Sequence, residues 1–173
     1  MCRGRGGADR PRAALGAAVS RPRTGARVAA VQALFQSEQN GESAETVMDQ
    51  FIRHRIGPLE DRGFEDGRVP EATIPLFAAI VRAAAADGAR VDALIRERLA
   101  KEWTLERLDP VLRALLRAAA AEMLTPKEPP ARVVINEYMD VARGFMDEQG
   151  ARFANGVLDA LAHALRPDEF SKA

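Results

Sequence analysis

The stretch Val111 to Leu124 is apolar on nearly every side, with Arg113, Arg117 and Glu122 its only charged residues. A helix that is hydrophobic most of the way round has to be wrapped by others, so it belongs at the centre of a bundle. Its ends are marked by local chemistry. Asp109 offers an N-cap side chain, Pro110 suits the first helical position where no amide hydrogen is needed, and Thr125-Pro126 stops the run.

The rest of the chain supplies amphipathic stretches to do the wrapping. Arg27 to Gln39 carries Val28, Val31, Leu34 and Phe35 at three- and four-residue spacing, and Asn40-Gly41 closes it. Ser43 caps a second helix in which Val47, Phe51 and Ile52 face inward. Gly57 to Pro70 reads as the main polar loop. A third helix, Glu71 to Ala86, buries Ile74, Phe77, Ile80 and Val81, with Pro75 tolerated in its first turn. A fourth, Ala89 to Lys101, turns Val91, Leu94, Ile95 and Leu99 to one side, and Trp103 follows as a core plug. The sixth runs Arg132 to Met146, and Asp147 to Gly150 makes a turn. The seventh carries Phe153, Val157, Leu158, Leu161 and Leu165 inward. With 47% hydrophobic residues, much of that share alanine, and only 5% aromatics, the composition favours helix throughout. The expected fold class is all-α.

Charge is balanced overall, 25 basic against 25 acidic, but unevenly placed. Residues 1–27 hold seven arginines and one acid, Asp9, a net +6, leaving 18 basic and 24 acidic groups for the remainder. Local potential attracts phosphate whatever the overall pI, so this arm is a candidate nucleic-acid contact; a solvated leader explains it equally well. Residues 1–22, rich in Arg, Gly, Ala and Pro, are expected to be disordered. The single cysteine, Cys2, permits no disulfide framework, and no apolar stretch is long enough to span a bilayer or form a signal peptide core, so a cytoplasmic location is expected.

Convergent catalytic chemistry is missing. His54 and His163 lie far apart on separate helices and read as surface or boundary residues, and one cysteine cannot build a zinc site. Arg3-Gly4-Arg5-Gly6-Gly7 lacks the lysine and hydroxyl of a phosphate loop, and its functional reading is an RGG-like nucleic-acid contact. Asp147 and Glu148 read as a solvated pair. The expectation is a binding protein rather than an enzyme, with neither cofactor nor metal. Two polar or small positions stand out. Asn136 is expected to be a buried polar group bonded to backbone. Gly156 costs about 1 kcal/mol in a helix interior, which close approach of a neighbouring helix would explain, while Asn155 beside it offers a polar handle.

Val133-Val134-Ile135-Asn136-Glu137, followed by Arg152-Phe153-Ala154-Asn155-Gly156-Val157-Leu158-Asp159, resembles the paired C-terminal motif of the NusB family of transcription antitermination factors. Ala30-Val31-Gln32-Ala33-Leu34-Phe35-Gln36 resembles the family's opening helix, and Trp103, Leu108-Asp109-Pro110 and Leu115-Leu116-Arg117 fit its middle. The resemblance, over about residues 23–166, implies a seven-helix fold of two small packed bundles: a basic arm over 1–22, then a helical domain over 23–168 whose halves are 23–87 and 88–168. It implies binding of boxA-type single-stranded RNA from ribosomal RNA transcripts together with the ribosomal protein NusE, in an RNA polymerase antitermination complex. A homodimer is a possible state of the free chain. RNA contacts carried over are Arg21, Arg23, Arg27, Gln149, Arg152 and Phe153, to which the reading of the residues adds Asn155. The NusE-facing surface carried over is Phe35, Glu106, Arg113 and Arg117. The chain departs from the family where a dense arginine cluster is thinned to Arg21-Pro22-Arg23-Thr24-Gly25-Ala26-Arg27. It departs again where Leu112 replaces a common acid, and where Ala118 to Ala121 replaces a bulkier run. The alternatives are the RNA-recruiting NusB-like domain of an RNA cytosine methyltransferase, which would need a catalytic domain beyond Ala173, and a purely protein-binding helical adaptor.

Overall fold

A computed structural model describes residues 22–56, 72–125 and 129–171. The expectations for the arm, for Arg21 and for the loop over 57–70 lie outside the described residues. Seven α-helices follow one another: α1 Pro22–Asn40, α2 Ala44–His54, α3 Ile74–Ala86, α4 Gly88–Arg96, α5 Pro110–Leu124, α6 Ala131–Phe145 and α7 Glu148–Leu165. Short 3-10 turns cover Leu105–Arg107 and Pro167–Glu169, and no strand occurs among the described residues.

Helix α5 is the central element that its sequence demands. Asp109 accepts hydrogen bonds from the amides of Val111 and Leu112, and Pro110 occupies the first turn. Leu112, Ala114, Leu115, Leu116, Ala118 to Ala121 and Met123 are all buried, together with Glu122. The helix packs against α1, α3, α4, α6 and α7. Alanines allow that crowding: α1 also buries Ala26, Ala29, Ala30 and Ala33, and small side chains let helix axes approach closely. A single hydrophobic cluster takes residues from all seven helices. Phe51 of α2 stacks on Phe77 of α3 at 5.8 Å within it.

Cap chemistry places several boundaries. Ser43 accepts from the Thr46 amide at the start of α2. Gly41 ends α1 with φ +69°, the left-handed conformation that glycine adopts without Cβ strain. Beyond α7, Arg166 donates to the carbonyls of Met123 and Thr125 at the end of α5, and Glu169 accepts from the Ala131 amide at 2.6 Å to open α6. The C-terminal turn thus adds partners to the end of α5 and supplies a cap to α6, which has no side-chain cap of its own.

Several expectations need correction. Helix α1 begins at Pro22, five residues early, and its buried stripe is centred on alanines and Arg27, with Val28, Leu34 and Phe35 only partly covered. Helix α3 starts at Ile74, which is exposed rather than buried, and α4 stops at Arg96, short of Lys101. Asp147 to Gly150 is not a free turn: Asp147 caps α7 by accepting from the Gly150 amide at 2.7 Å, and Glu148 opens the helix. Trp103 is not a core plug but 45% exposed. Asn136 is not enclosed as a backbone-bonded core residue; it lines an open groove on the outer side of α6. Gly156 is exposed too, and a Cβ built there would meet nothing within 4 Å, so close packing does not explain it.

The open space beside Gly156 sets the sign of a substitution. Gly156→Ala fills it on a helical backbone and is expected to stabilise the fold by roughly 0.5–1 kcal/mol. Urea unfolding measures it, and a lower midpoint would contradict the open surroundings assigned to this position.

Candidate RNA and partner surfaces

Arg27, which its sequence position groups with the RNA-binding arginines, is only 1% exposed. Its guanidinium grips Glu122 of α5 bidentately, Nη2 donating at 2.6 Å and Nε at 3.0 Å, and Nη1 donates to Glu137 of α6 at 3.2 Å. Thr24 also donates to Glu137, at 2.7 Å. Burial works against the arginine's charge, but the hydrogen bonds and negative charges of Glu122 and Glu137 outweigh it and hold the pKa above its ordinary value. Tyr138 is fully buried beside this group. Burial first, then the charge of Glu122, pushes its phenol well above the usual range. Arg27 therefore belongs to an internal ion-paired joint between α1, α5 and α6, and cannot touch a ligand without leaving Glu122 stranded in the interior and the half-buried Glu137 without its cation.

The remaining described RNA candidates fall into two places. Arg23 is exposed in the first turn of α1. Gln149, Arg152, Phe153 and Asn155 gather around the start of α7. Arg152 and Asn155 line an open groove between α6 and α7, and Asn136, Asp140 and Arg143 line it from α6. Arg152 pairs with Glu148 at 2.6 Å and Arg143 with Asp140 at 2.8 Å, both in solvent. Exposed pairs of this kind are weak, so both guanidiniums can turn to a phosphate at little cost. Sequence reading assigns no RNA role to Arg143 or Asn136: Asn136 lies in the family motif but reads there as a core residue, and Arg143 is signalled only by the helical spacing that puts it, with Asp140, on the same side of α6. Gln149 and Phe153 line a separate apolar pocket with Trp103.

Three of the four partner-surface candidates share one groove, walled by α1, α4 and α5 and the 3-10 turn at Leu105–Arg107. Glu106, Arg113 and Arg117 line it together with Glu38, Glu42 and Asp92. Glu38 bridges Arg113 and Arg117, and Arg117 reaches Asp92 at 2.7 Å. Arg113 also donates to the carbonyls of Leu105 and Leu108 at 3.0 and 3.2 Å, which fixes the turn before α5. The Arg113 hydrogen bond, against burial, holds the Glu38 carboxyl below its ordinary pKa. Phe35 does not join this groove; it lines a separate depression with Val31, Arg55, Val111 and Phe145.

His54 and His163 are both exposed on helices, and among the described residues no cluster of histidine, cysteine and carboxylates could hold a metal ion. No described helix is long and apolar enough to cross a membrane.

A family model described as the NusB family matches residues 24–163. The chain belongs to the NusB family. It is 57% identical over 153 residues to the transcription antitermination protein NusB of Granulibacter bethesdensis, covering 88% of this chain and 94% of that one. With the NusB of Gluconobacter oxydans it shares 51% over 142 residues, 82% of this chain and 87% of the other. Among solved structures it superposes on T. maritima NusB with a TM-score of 0.67 at 28% identity, over 87% of this chain and 97% of that one. A chain in the crystal structure of antitermination factors NusB and NusE in complex with dsRNA shares the fold, with a TM-score of 0.64 at 24% identity over 82% and 96%. The residues matched by the NusB family model take in the Arg27 joint and both surfaces, with Arg21 and Arg23 lying just before them.

The buried joint and the Glu38 network each predict a stability outcome. Arg27→Ala strands Glu122 in the core and is expected to cost about 3–5 kcal/mol in chemical unfolding, whereas Arg27→Met combined with Glu122→Leu should recover most of it. An Arg27→Ala cost below about 1 kcal/mol would place the arginine at the surface instead. For Glu38, a carboxyl held below its ordinary pKa stabilises the fold above its unfolded value of 4.5, and that contribution disappears as pH falls through the folded value. Unfolding free energy measured against pH should therefore drop on the acid side of 4.5, and Glu38→Gln should flatten that limb.

Proposed function

We propose that this chain is a transcription antitermination protein that binds boxA-type single-stranded RNA of ribosomal RNA transcripts together with a NusE-type ribosomal protein. In this reading it works in the cytoplasm, within an RNA polymerase antitermination complex, and performs no catalytic step. The observation that carries the proposal is the match to the Granulibacter antitermination protein along nearly the whole of both chains. The pairing of NusE and RNA is that of the fold neighbour and is brought here as part of the proposal.

The geometry supports a division of labour. The groove between α6 and α7 offers guanidiniums for phosphates and amides for base edges, with aromatic faces next to it, the combination suited to unstacked RNA. The α1–α4–α5 groove offers a preformed charge network in which Arg113 and Arg117 are already oriented by Glu38 and Asp92, suited to a protein partner. Phe35 and its depression are a second part of that partner surface, and self-association of the free chain would cover the same ground.

Because Arg27 is internal, the RNA test falls on Arg23 and Arg152. The double variant Arg23→Ala, Arg152→Ala is expected to weaken binding to boxA-type RNA in the partner's presence. The slope of log affinity against log salt should become shallower by about 0.7 for each phosphate that is no longer neutralised. Unchanged affinity and slope would remove both residues from the RNA surface. Equal binding to boxA and scrambled RNA, with or without the partner, would leave only a helical adaptor.

A further inference from the structure

Trp103 is the chain's one tryptophan, and it stands on the surface in the turn between α4 and α5. Its ring meets Phe153 of α7 edge to face, with centroids 5.4 Å apart and planes at 63°. Together they flank a pocket of about 310 Å³ floored by Leu108 and Leu112 and rimmed by Asp109 and Asp147. The Trp103 amide is tied to the Ala100 carbonyl at 2.9 Å, so the ring is presented by a fixed backbone. Half-covered tryptophan beside a partly covered phenylalanine is a poor arrangement for an isolated surface and a good one for receiving a planar group.

We infer that Trp103 and Phe153 form a stacking subsite for one unpaired nucleobase of bound RNA, with Asp109 and Asp147 selecting a base that carries an exocyclic amine. This rests on the RNA-binding reading above and deepens it.

Continuity and charge commit the pocket to a base. Asp147 lines both this pocket and the arginine-bearing groove between α6 and α7, so the two adjoin at the start of α7. A strand whose phosphates lie along Arg143 and Arg152 would pass the mouth of the pocket. Two carboxylates on the rim repel phosphate, which keeps the backbone on the arginine side and leaves the pocket to a base. Each helix cap uses Oδ1 of its aspartate. The second oxygen of each carboxylate is an acceptor that matches the amino group of cytosine or adenine and opposes the carbonyl oxygens of uracil. Leu112 fits the same picture: an apolar side chain under the pocket provides a dry floor on which a ring can rest.

The test uses the full chain with short fluorescein-labelled single-stranded RNAs, one containing cytidine and adenosine and one of uridine alone. Label anisotropy reads binding, and the emission of Trp103, with no other tryptophan to obscure it, reads stacking. The mixed RNA is expected to quench Trp103 more than oligouridine does. Trp103→Ala should weaken its binding about 5- to 100-fold while Trp103→Phe keeps most of the affinity. The residue is exposed, and an unchanged thermal unfolding midpoint confirms that Trp103→Ala is folded. Binding by anisotropy with unchanged Trp103 emission and unchanged affinity in Trp103→Ala would overturn the subsite and leave the RNA reading standing. Absence of binding to either RNA, with and without the NusE-type partner, would overturn both.

Discussion

One buried arginine holds the architecture in register. Arg27 joins α1 to α5 through Glu122 and to α6 through Glu137, at the point where these three helices meet. The surrounding interface is built largely from alanines, which pack closely but specify little, because one alanine face resembles the next one turn along. A bidentate guanidinium–carboxylate pair accepts a single geometry. In the interior a mispaired charge costs several kcal/mol, so sliding α1 by a turn is strongly disfavoured. The alanine contacts supply proximity, and the ion-paired joint supplies position.

Both candidate surfaces depend on that position. Helix α1 contributes Glu38 to the charge network around Arg113 and Arg117, so its register decides whether that network closes. Helix α6, held through Glu137, carries Arg143 and Asn136 to the groove it shares with α7. The C-terminal turn does comparable work at the far end, where Arg166 and Glu169 complete the ends of α5 and α6. Rigid helices, rather than loops, therefore present most of the groups assigned to RNA and partner.

Much of this is legible in the sequence where the deciding chemistry is local. Asp109-Pro110 and Thr125 bound α5 because capping and proline geometry act within a few residues. Ser43 and Gly41 do the same around α2 and α1. The failures share a cause in long-range contacts. The partners of Arg27 lie 95 and 110 residues away, so in sequence it is one more arginine of a basic arm. Helix α1 starts early because the Pro22 carbonyl accepts from the Thr73 amide and Thr24 bonds Glu137, contacts that override the poor helix propensity of Pro-Arg-Thr-Gly. Trp103 reads as core because size and apolarity say nothing of whether a neighbouring helix covers a ring. The motif around Asn136 and Gly156 points to the family, yet neither residue is packed in the core, so burial does not account for their presence.

We propose that RNA meets the start of α7 and its flanking groove while the partner meets the face of α1, α4 and α5, with the Arg27 joint inside and untouched. Amide NMR of the isotopically labelled chain tests that separation directly. Adding RNA should shift the resonances of Gln149 to Asn155 and of Trp103 and Arg143. Adding the NusE-type partner should shift those of Glu38, Glu106, Arg113 and Arg117, and neither should move Arg27 or Glu122 appreciably. RNA-induced shifts centred on Arg27 and the interior of α1, with α7 silent, would contradict it.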